Sequence, residues 1–269
     1  MRDDAAVDDA SVVARLRAAG CVFAEDEAAV LLAAAQSPGE LGALVERRAA
    51  GEPLEQVVGW AEFAGLRILV DPGVFVPRRR SEFLVSVAVE VARSRSGRAA
   101  DVIVDLCCGT GALGLAVATD LGRPVGLHAA DLDPAAVACA RRNLEPFGAH
   151  VYVGDLFDPL PGGLRGRADI LICNAPYVPT GDVAFLPAEA RDHESLVALD
   201  GGLDGLAVLR RAAAGAPSWL APGGALLVET SDRQAAEMAA AMSAAGLSPA
   251  IHSDEDSAAT VVTGRTADC

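Results

Sequence analysis

One tetrapeptide in the sequence places two hydrogen-bond acceptors beside an aromatic ring. The apolar residues 170–173 predict a buried strand, and the next four residues are Asn174, Ala175, Pro176 and Tyr177. The side-chain oxygen of Asn174 and the carbonyl oxygen of Ala175 can both accept hydrogen bonds from one NH2 group. Pro176 has no N–H and stiffens the loop, while Tyr177 offers a flat wall for a planar group. The tetrapeptide is therefore suited to holding an amino group.

A glycine-rich segment follows another predicted strand, at residues 102–106. Gly109, Gly111 and Gly114 allow the chain to turn sharply and let a ligand approach the backbone. The N-terminus of the helix predicted after them presents free N–H groups. Asp131 comes twenty residues after Gly111, at the end of the next predicted strand, where a carboxylate can accept hydrogen bonds from both hydroxyls of an adenosine ribose.

Two cofactors fit this pattern. The spacing of the three glycines matches the fingerprint of dinucleotide-binding proteins. Asp105 before the loop and Asp155 after the third strand suit S-adenosylmethionine instead. Hydride transfer requires no pair of acceptors for an NH2 group, whereas methyl transfer to nitrogen needs that group held toward the donor. The tetrapeptide therefore favours S-adenosylmethionine over a nicotinamide dinucleotide.

The residues before the glycine-rich segment predict three helices and then a pair of strands. Ser37, Pro38 and Glu40 form a pattern typical of a helix start. Asp8 or Asp9 is expected to cap the first helix. The other elements predicted here are a helix at 25–36, strands at 63–70 and 74–76 around a turn at 71–73, a helix at 83–93 and a polar connector at 93–100.

From residue 101 onward, predicted strands and helices alternate. Such alternation is typical of an α/β fold with a doubly wound sheet. Two strands near the C-terminus flank a charged turn and predict an antiparallel hairpin at one edge of that sheet. The predicted strands are 102–106, 125–130, 150–153, 169–173, 224–230, 249–253 and 260–264, and the predicted helices are 112–120 and 134–147.

Composition narrows the possible functions. The 269 residues carry a formal net charge of −15, which argues against an extended nucleic-acid interface because phosphate neutralisation needs clustered basic residues. No apolar run approaches the roughly 20 residues that cross a bilayer, and the first twenty residues carry four aspartates, unlike a signal peptide. The six cysteines lack metal-ligand spacing. We therefore expect a cytoplasmic monomer without a metal site, membrane contact or direct nucleic-acid binding.

Several longer segments resemble one enzyme family. They are residues 51–59 (GEPLEQVVG), 63–65 (FAG), 75–78 (FVPR) with Glu82, 200–206 (DGGLDGL) and 222–224 (PGG). The tetrapeptide is similar to the Asn-Pro-Pro-Tyr motif of amino-group methyltransferases. From about residue 47 to its C-terminus, the chain resembles the HemK-type protein-(glutamine-N5) methyltransferases, which modify peptide chain release factors.

This resemblance implies a Rossmann-like class I methyltransferase fold with S-adenosylmethionine as cofactor. Residues 1–60 would form a helical substrate-docking domain, residues 61–100 a β-hairpin and helical linker, and residues 101–269 the methyltransferase domain. The implied reaction is methylation of a glutamine amide nitrogen in a release factor. A small-molecule amine as acceptor stays open, as does a binding protein that keeps the fold without turnover.

The resemblance also implies a role for each site residue. Residues 107–111 would wrap the methionine part of the cofactor, Asp131 would bind the ribose, and Asp155 with Leu156 would lie beside the adenine. The implied acceptor-binding residues are Asn174, Ala175, Pro176 and Tyr177, and the implied cofactor-binding residues are Asp105, Cys107, Cys108, Gly109, Thr110, Gly111, Asp131, Leu132, Asp155, Leu156 and Asn174.

Three departures from the family pattern lead to further expectations. Cys107 replaces the first glycine of the loop, so we expect a negative φ there. Ala175 replaces the first proline of the tetrapeptide and makes it less rigid. Arg79 and Arg80 replace a proline and an acid. Residues 78–80 are expected to form a solvated basic patch, and a role in docking a substrate is the alternative.

Three other polar residues receive structural interpretations. Asn143 is expected to close local hydrogen bonds at the end of its helix. Glu189 and Glu194 follow the tetrapeptide and could rim the acceptor cleft, although we interpret them as solvated loop acids. The four histidines are scattered along the chain and are interpreted as surface or loop residues.

Overall fold

The structure is a computed structural model, and it describes residues 9–95 and 101–267. Asp8, residues 96–100 of the predicted connector and Cys269 lie outside the described residues. No helix within these ranges is long and apolar enough to cross a membrane. The helices are α1 (Asp9–Ala18), α2 (Ala24–Ala34), α3 (Pro38–Ala49), α4 (Leu54–Val58), α5 (Glu82–Ser94), α6 (Ala112–Leu121), α7 (Pro134–Leu144), α8 (Ala188–His193), α9 (Ala207–Gly215) and α10 (Asp232–Ala244). The strands are β1 (Trp60–Phe63), β2 (Leu66–Leu69), β3 (Asp101–Leu106), β4 (Val125–Asp131), β5 (His150–Val153), β6 (Ala168–Cys173), β7 (Leu220–Thr230), β8 (Ser248–Asp254) and β9 (Ala259–Arg265).

The first four helices bury a small core of their own. Val12, Leu16 and Leu31 are among the apolar residues that pack together there. The Ser37 side chain accepts a hydrogen bond from the Glu40 N–H at 3.2 Å, which confirms the predicted start of α3.

A pair of strands precedes α5, as predicted, but its bounds and its turn differ from the prediction. β1 and β2 form an antiparallel hairpin in which Phe63 pairs with Leu66, so the turn is at Ala64 and Gly65. Residues 71–74 do form a turn, in which the Val74 N–H donates to the Asp71 carbonyl at 3.1 Å, but this turn follows β2 and does not join two strands. The strand predicted at 74–76 is wrong, because the described structure has no strand there. Ala64 and Gly65 both have positive φ, 49° and 72°, as two-residue turns that match the twist of their strands require. An alanine inside an apolar run gives no sign of this conformation.

The strands from β3 onward form one sheet in the order β5-β4-β3-β6-β7-β9-β8. The pairs among β3 to β7 are parallel, and β9 is antiparallel to both β7 and β8. Helices α5, α6 and α7 pack on one face, whereas α9 and α10 pack on the other. The predicted doubly wound α/β sheet, its C-terminal antiparallel hairpin and the preceding helical unit are confirmed.

Parallel strands bring their carboxyl ends to one edge of the sheet. Leu106 of β3 pairs with Ala130 of β4 and with Cys173 of β6. The loops that follow these three strands therefore leave the sheet side by side. Ligands of open α/β sheets bind at this edge.

Candidate active site

A cavity of about 650 Å³ opens at the carboxyl ends of the parallel strands. Two predicted residues do not line it: Asp105 is buried beneath the glycine-rich loop, and Gly111 packs against Leu144 at the start of α6. The predicted residues that line the cavity are Cys107, Cys108, Gly109, Thr110, Asp131, Leu132, Asp155, Leu156, Asn174, Ala175, Pro176 and Tyr177.

The loop after β3 contains three residues in the left-handed region. The φ angle is 54° at Cys107, 54° at Gly109 and 79° at Gly111. The negative φ expected at Cys107 is therefore wrong. The backbone at Cys107 adopts the left-handed conformation that glycine prefers, and this conformation costs a residue with a Cβ about 1–2 kcal/mol. Gly111 has no room for a side chain, because a Cβ there would lie 2.7 Å from Cδ1 of Leu144.

Asp131, at the end of β4, holds this loop in place. Its Oδ2 accepts a hydrogen bond from the Gly109 N–H at 2.8 Å, and its Oδ1 accepts one from the Asp133 N–H at 2.9 Å. Burial raises the pKa of the Asp131 carboxyl above its ordinary value. Each carboxylate oxygen keeps a second lone pair, so Asp131 can also accept hydrogen bonds from ligand hydroxyls in the cavity.

Asp105 lies beneath the same loop and is fully buried. Its Oδ2 accepts a hydrogen bond from the Gly114 N–H at 2.9 Å, whereas its Oδ1 has no partner in the described part of the chain. Desolvation, reinforced by the nearby Asp131, raises the pKa of Asp105 to about 7. The buried Asp105 and the half-buried Asp131 share no basic side chain in these contacts, so they favour a positively charged ligand.

The loop after β5 supplies the other end of the cavity. Asp155 pairs with Arg211 of α9 at 2.6 Å, and both side chains are half-exposed. Leu156, with a φ of 46°, and Leu132 add apolar walls. Apolar walls beside a single carboxylate suit a flat heteroaromatic ring with an amino group.

The tetrapeptide is held by side chains that the sequence analysis missed. Glu229, at the end of β7, accepts hydrogen bonds from the Tyr177 hydroxyl at 2.8 Å and from Nδ2 of Asn174 at 3.5 Å. Arg80 donates to Glu229 at 3.1 Å and to the Tyr177 hydroxyl at 2.6 Å. The Ser81 hydroxyl accepts from Asn174 Nδ2 at 3.4 Å. Because β7 neighbours β6, the rule that carboxyl ends of parallel strands meet could have identified Glu229.

The solvated patch expected at residues 78–80 is confirmed only in part: Arg79 and Arg80 are exposed, but Arg78 and Arg80 each bind a buried carboxylate. Arg78 donates to Glu194 at 2.6 Å, and this carboxylate also accepts from the Val76 N–H at 3.1 Å. Glu194 is buried, so its interpretation as a solvated loop acid is wrong as well. Desolvation raises the pKa of its carboxyl. Arg78 and Arg80 line the cavity, and their buried acidic partners lie more than 100 residues away in sequence.

Comparison with known proteins identifies the family of this chain. Residues 65–190 match the model of the methyltransferase small domain. A release factor glutamine methyltransferase from Geobacter sulfurreducens is 42% identical over 206 residues, covering 74% of this chain and 69% of that protein. Another from Streptomyces coelicolor is 39% identical, covering 72% of this chain and 68% of that protein. The chain belongs to the HemK-type family of release factor glutamine methyltransferases.

One further relative of this HemK-family chain has a different name. The 4-amino-L-phenylalanine/4-methylamino-L-phenylalanine methyltransferase of Streptomyces pristinaespiralis is 37% identical, covering 75% of this chain and 69% of that protein. Among solved structures, a methyltransferase from Pyrococcus furiosus has a TM-score of 0.55 at 16% identity, covering 76% of this chain and 90% of that one. It shares the fold of the present chain.

The methyl donor of this HemK-family enzyme is S-adenosylmethionine, the donor of class I methyltransferases. The cavity fits that molecule, which combines an ammonium group and a cationic sulfur with a ribose and an adenine. The buried Asp105 and the half-buried Asp131 complement positive charge, and Asp131, on the cavity wall, offers lone pairs to hydroxyls. The choice between the two cofactors is thereby settled.

The DGGLDGL run, one of the segments that resemble the HemK family, packs behind the tetrapeptide. The Gly201 N–H donates to the Val178 carbonyl at 2.8 Å. A Cβ at Gly201 would lie 2.6 Å from the Pro176 carbonyl oxygen, so only glycine fits there. Nε2 of Gln234 donates to the Tyr177 carbonyl at 2.9 Å. These contacts fix the backbone of the tetrapeptide despite the missing proline.

Asn143 does not close local hydrogen bonds at the end of α7, contrary to expectation. Its Nδ2 donates to the carbonyl oxygens of Leu69 at 3.0 Å and Thr110 at 2.9 Å, and its Oδ1 accepts from the Leu69 N–H at 2.9 Å. This one side chain therefore joins the β1–β2 hairpin to the glycine-rich loop.

Glu189 lies on the rim of the cavity, one of the two placements considered for it. The residue is half-exposed and pairs with Arg48 of α3 at 2.6 Å. Arg48 is 7% exposed and also binds Glu27 of α2 at 2.6 Å. The pair connects the N-terminal helical unit to the rim.

Proposed function

We propose that the protein methylates the side-chain amide nitrogen of a glutamine in a peptide chain release factor. One observation carries this proposal: Asn174 and Ala175 line the cavity, and neither the Asn174 Oδ1 nor the Ala175 carbonyl oxygen has a hydrogen-bond partner in the described part of the chain. Two free acceptors on consecutive residues can hold both hydrogens of an amide NH2. The relatives from Geobacter sulfurreducens and Streptomyces coelicolor bear the name of this activity.

We assign the other half of the cavity to the methyl donor. Residues 107–111 hold the methionine part, with the Asp105 carboxyl beneath them. Asp131 accepts hydrogen bonds from the ribose hydroxyls. Asp155 and Leu156 lie against the adenine, with Leu132 as a further apolar wall. The donor supplies a methyl group on a positively charged sulfur.

The chain's own groups must make a poor nucleophile reactive. An amide nitrogen attacks slowly because its lone pair is delocalised onto the carbonyl. Hydrogen bonds from its two N–H groups to Asn174 and Ala175 raise the electron density on nitrogen and favour its pyramidal form, so they strengthen in the transition state. The same two bonds, with the Tyr177 ring as a wall, aim the nitrogen at the donor.

We further propose that the N-terminal helical unit docks the acceptor protein. The Arg48–Glu189 pair supports this role because it connects that unit to the rim of the cavity. The domain boundaries at residues 60 and 100 stay predictions, as do the monomeric state, the cytoplasmic location and the lack of direct nucleic-acid contact.

The activity is tested by incubating the purified protein with S-adenosylmethionine and a release factor, followed by mass spectrometry of the release factor. The expected result is one added methyl group on a glutamine. A release factor with that glutamine replaced by alanine is the matched control and should gain none. An unmodified release factor, in a sample that binds S-adenosylhomocysteine, contradicts the proposal.

A small aromatic amine is the second candidate acceptor. The relative from Streptomyces pristinaespiralis, named for methylation of 4-amino-L-phenylalanine, favours it. An aromatic NH2 also offers two hydrogens to the same two acceptors. The same assay with 4-amino-L-phenylalanine distinguishes the two, because methylation of this amine without methylation of the release factor would replace the first proposal.

A further inference from the structure

Glu229 is buried where two parallel strands end side by side. Cys173 of β6 pairs with Val228 of β7, so Asn174 and Glu229 are the next residues on the two strands. The Glu229 side chain is 3% exposed, and the residue does not line the cavity. It therefore acts on a ligand through its neighbours.

The hydrogen bonds around Glu229 fix the orientation of the Asn174 amide. An ionised carboxylate only accepts hydrogen bonds, so the amide must present its NH2 group to Glu229. The two acceptors of that NH2 group are Glu229 Oε2 at 3.5 Å and Ser81 Oγ at 3.4 Å. A reversed amide would place its oxygen against the carboxylate. The Asn174 Oδ1 is thereby directed away from Glu229 and left without a partner among the described residues.

Arg80 and Tyr177 both donate hydrogen bonds to this carboxylate. Oε1 of Glu229 accepts from the Arg80 guanidinium at 3.1 Å and from the Tyr177 hydroxyl at 2.8 Å. A buried carboxylate needs such a charged partner and such donors. The same side chain thus holds both ends of the tetrapeptide.

We propose that Glu229 is the positioning residue that makes the acceptor site selective for groups with an NH2. With the Asn174 oxygen toward the acceptor, the site binds an amide or an amine and rejects a carboxylate, whose oxygens would face this oxygen and the Ala175 carbonyl. The inference rests on the proposed function and deepens it, because it names the group that sets the hydrogen-bonding polarity of the site.

The substitution Glu229→Gln tests this role with little change of shape. Arg80 and Tyr177 both donate to the Oε1 position, so the glutamine oxygen takes that place and its NH2 faces Asn174. Two NH2 groups then oppose each other, and the Asn174 amide must reverse. The matched control is Glu237→Gln, which changes an exposed acid of α10 that pairs with Arg210 of α9.

The orientation can be measured without any acceptor or turnover. The chain contains only two asparagines, Asn143 and Asn174, so nitrogen-15 asparagine labelling gives two side-chain NH2 signals. Asn143, which bonds two carbonyl oxygens, is the internal reference. We expect hydrogen exchange of the Asn174 NH2 to be about tenfold faster in Glu229→Gln, because the loss of its buried partners exposes it to the cavity. Exchange at Asn143 should be unchanged, and so should both signals in Glu237→Gln.

An unchanged Asn174 exchange rate in Glu229→Gln overturns the proposal. If Asn143 also exchanges faster, the variant has lost its fold, and Ser81→Ala replaces it. That variant removes one of the two acceptors of the Asn174 NH2 and should accelerate Asn174 exchange by about threefold, as a partial loss of its hydrogen bonds. An unaltered rate in Ser81→Ala then overturns the proposal.

Selectivity is measured by calorimetry with saturating S-adenosylhomocysteine and two release-factor peptides that differ only by glutamine or glutamate at the acceptor position. The natural chain should bind the glutamine peptide at least about tenfold tighter, and Glu229→Gln should bring the ratio toward one. A ratio that survives the substitution overturns the role of Glu229. A natural chain that binds neither peptide contradicts the proposed acceptor instead, and the exchange measurement still decides the orientation.

Discussion

The two halves of the cavity are built in different ways. On the side proposed for the methyl donor, backbone N–H groups of the glycine-rich loop and of the first turn of α6 bond to Asp131 and Asp105. On the acceptor side, the tetrapeptide depends on side chains from distant segments, such as Arg80 and Glu229. Main-chain positioning depends on local conformation, whereas side-chain positioning depends on charge and hydrogen-bond partners. The two halves should therefore respond separately to substitution.

The largest difference between the responses of the two halves is expected from Asn174→Ala. This variant removes one of the two acceptors proposed for the substrate nitrogen and should lower the turnover number by at least about 100-fold, as the loss of one preorganised group in a transition state does. Affinity for S-adenosylhomocysteine, measured by calorimetry, should stay within about twofold. An unchanged turnover number in this variant would show that Asn174 has no role in the reaction.

Gly111→Ala should damage the donor half through the backbone. A Cβ would combine a φ of 79° with a contact at 2.7 Å to Leu144, and we expect a loss of about 3 kcal/mol in the free energy of unfolding. Gly109→Ala is the matched control, because its φ is 54° and its Cβ would meet nothing within 4 Å. It should lose only about 1 kcal/mol. Equal losses in urea unfolding would exclude the role of Leu144.

The buried acid of the donor half predicts a pH dependence of stability. Because the pKa of Asp105 is raised to about 7, the folded chain holds a proton that the unfolded chain releases near its ordinary value. The free energy of unfolding should therefore fall by about 2 kcal/mol between pH 5 and pH 7, with the full penalty present above the raised pKa.

Asp105→Asn keeps an oxygen for the Gly114 N–H and should remove this part of the slope. The measurement is urea unfolding of both proteins at the two pH values. The difference between the proteins isolates Asp105 from the other titrating groups. Parallel slopes for the two proteins would show that Asp105 does not carry this proton.

The smallest effect is expected at Cys107. Cys107→Gly relieves a φ of 54° and should raise the free energy of unfolding by up to about 1 kcal/mol. Cys108→Gly is the control, because Cys108 is buried without a positive φ and should lose stability. Stabilisation by both substitutions, or by neither, would argue against backbone strain at Cys107.

The donor half was predictable because its signals are local. Gly109, Gly111 and Asp131 each follow an apolar run, and the strand-end rule places them at one edge of the sheet. The positive φ of Cys107 escaped prediction, since only the closed loop imposes it. The positive φ of Ala64 escaped prediction for the same reason, so the hairpin turn was predicted at the wrong residues.

Only half of the acceptor side could be predicted. Asn174 to Tyr177 stand together in the sequence, and their chemistry follows from their types. Their supports do not: Arg80 and Glu229 are 149 residues apart, and Arg78 and Glu194 are 116 apart. An arginine beside an exposed turn is interpreted as solvated until a buried carboxylate is found opposite it. Which carboxylate lies opposite each arginine is set by the tertiary packing of the chain, not by the local sequence.

The bridge made by Asn143 has a consequence for chimeric enzymes. Its amide satisfies two carbonyl oxygens and one N–H at once, one carbonyl being in the loop and the other two groups in the hairpin. Aspartate lacks the donors, and leucine lacks both kinds of group. A swap that grafts a foreign hairpin onto this catalytic core must therefore preserve the main-chain position of Leu69, or the glycine-rich loop will lose one of its hydrogen-bonded anchors.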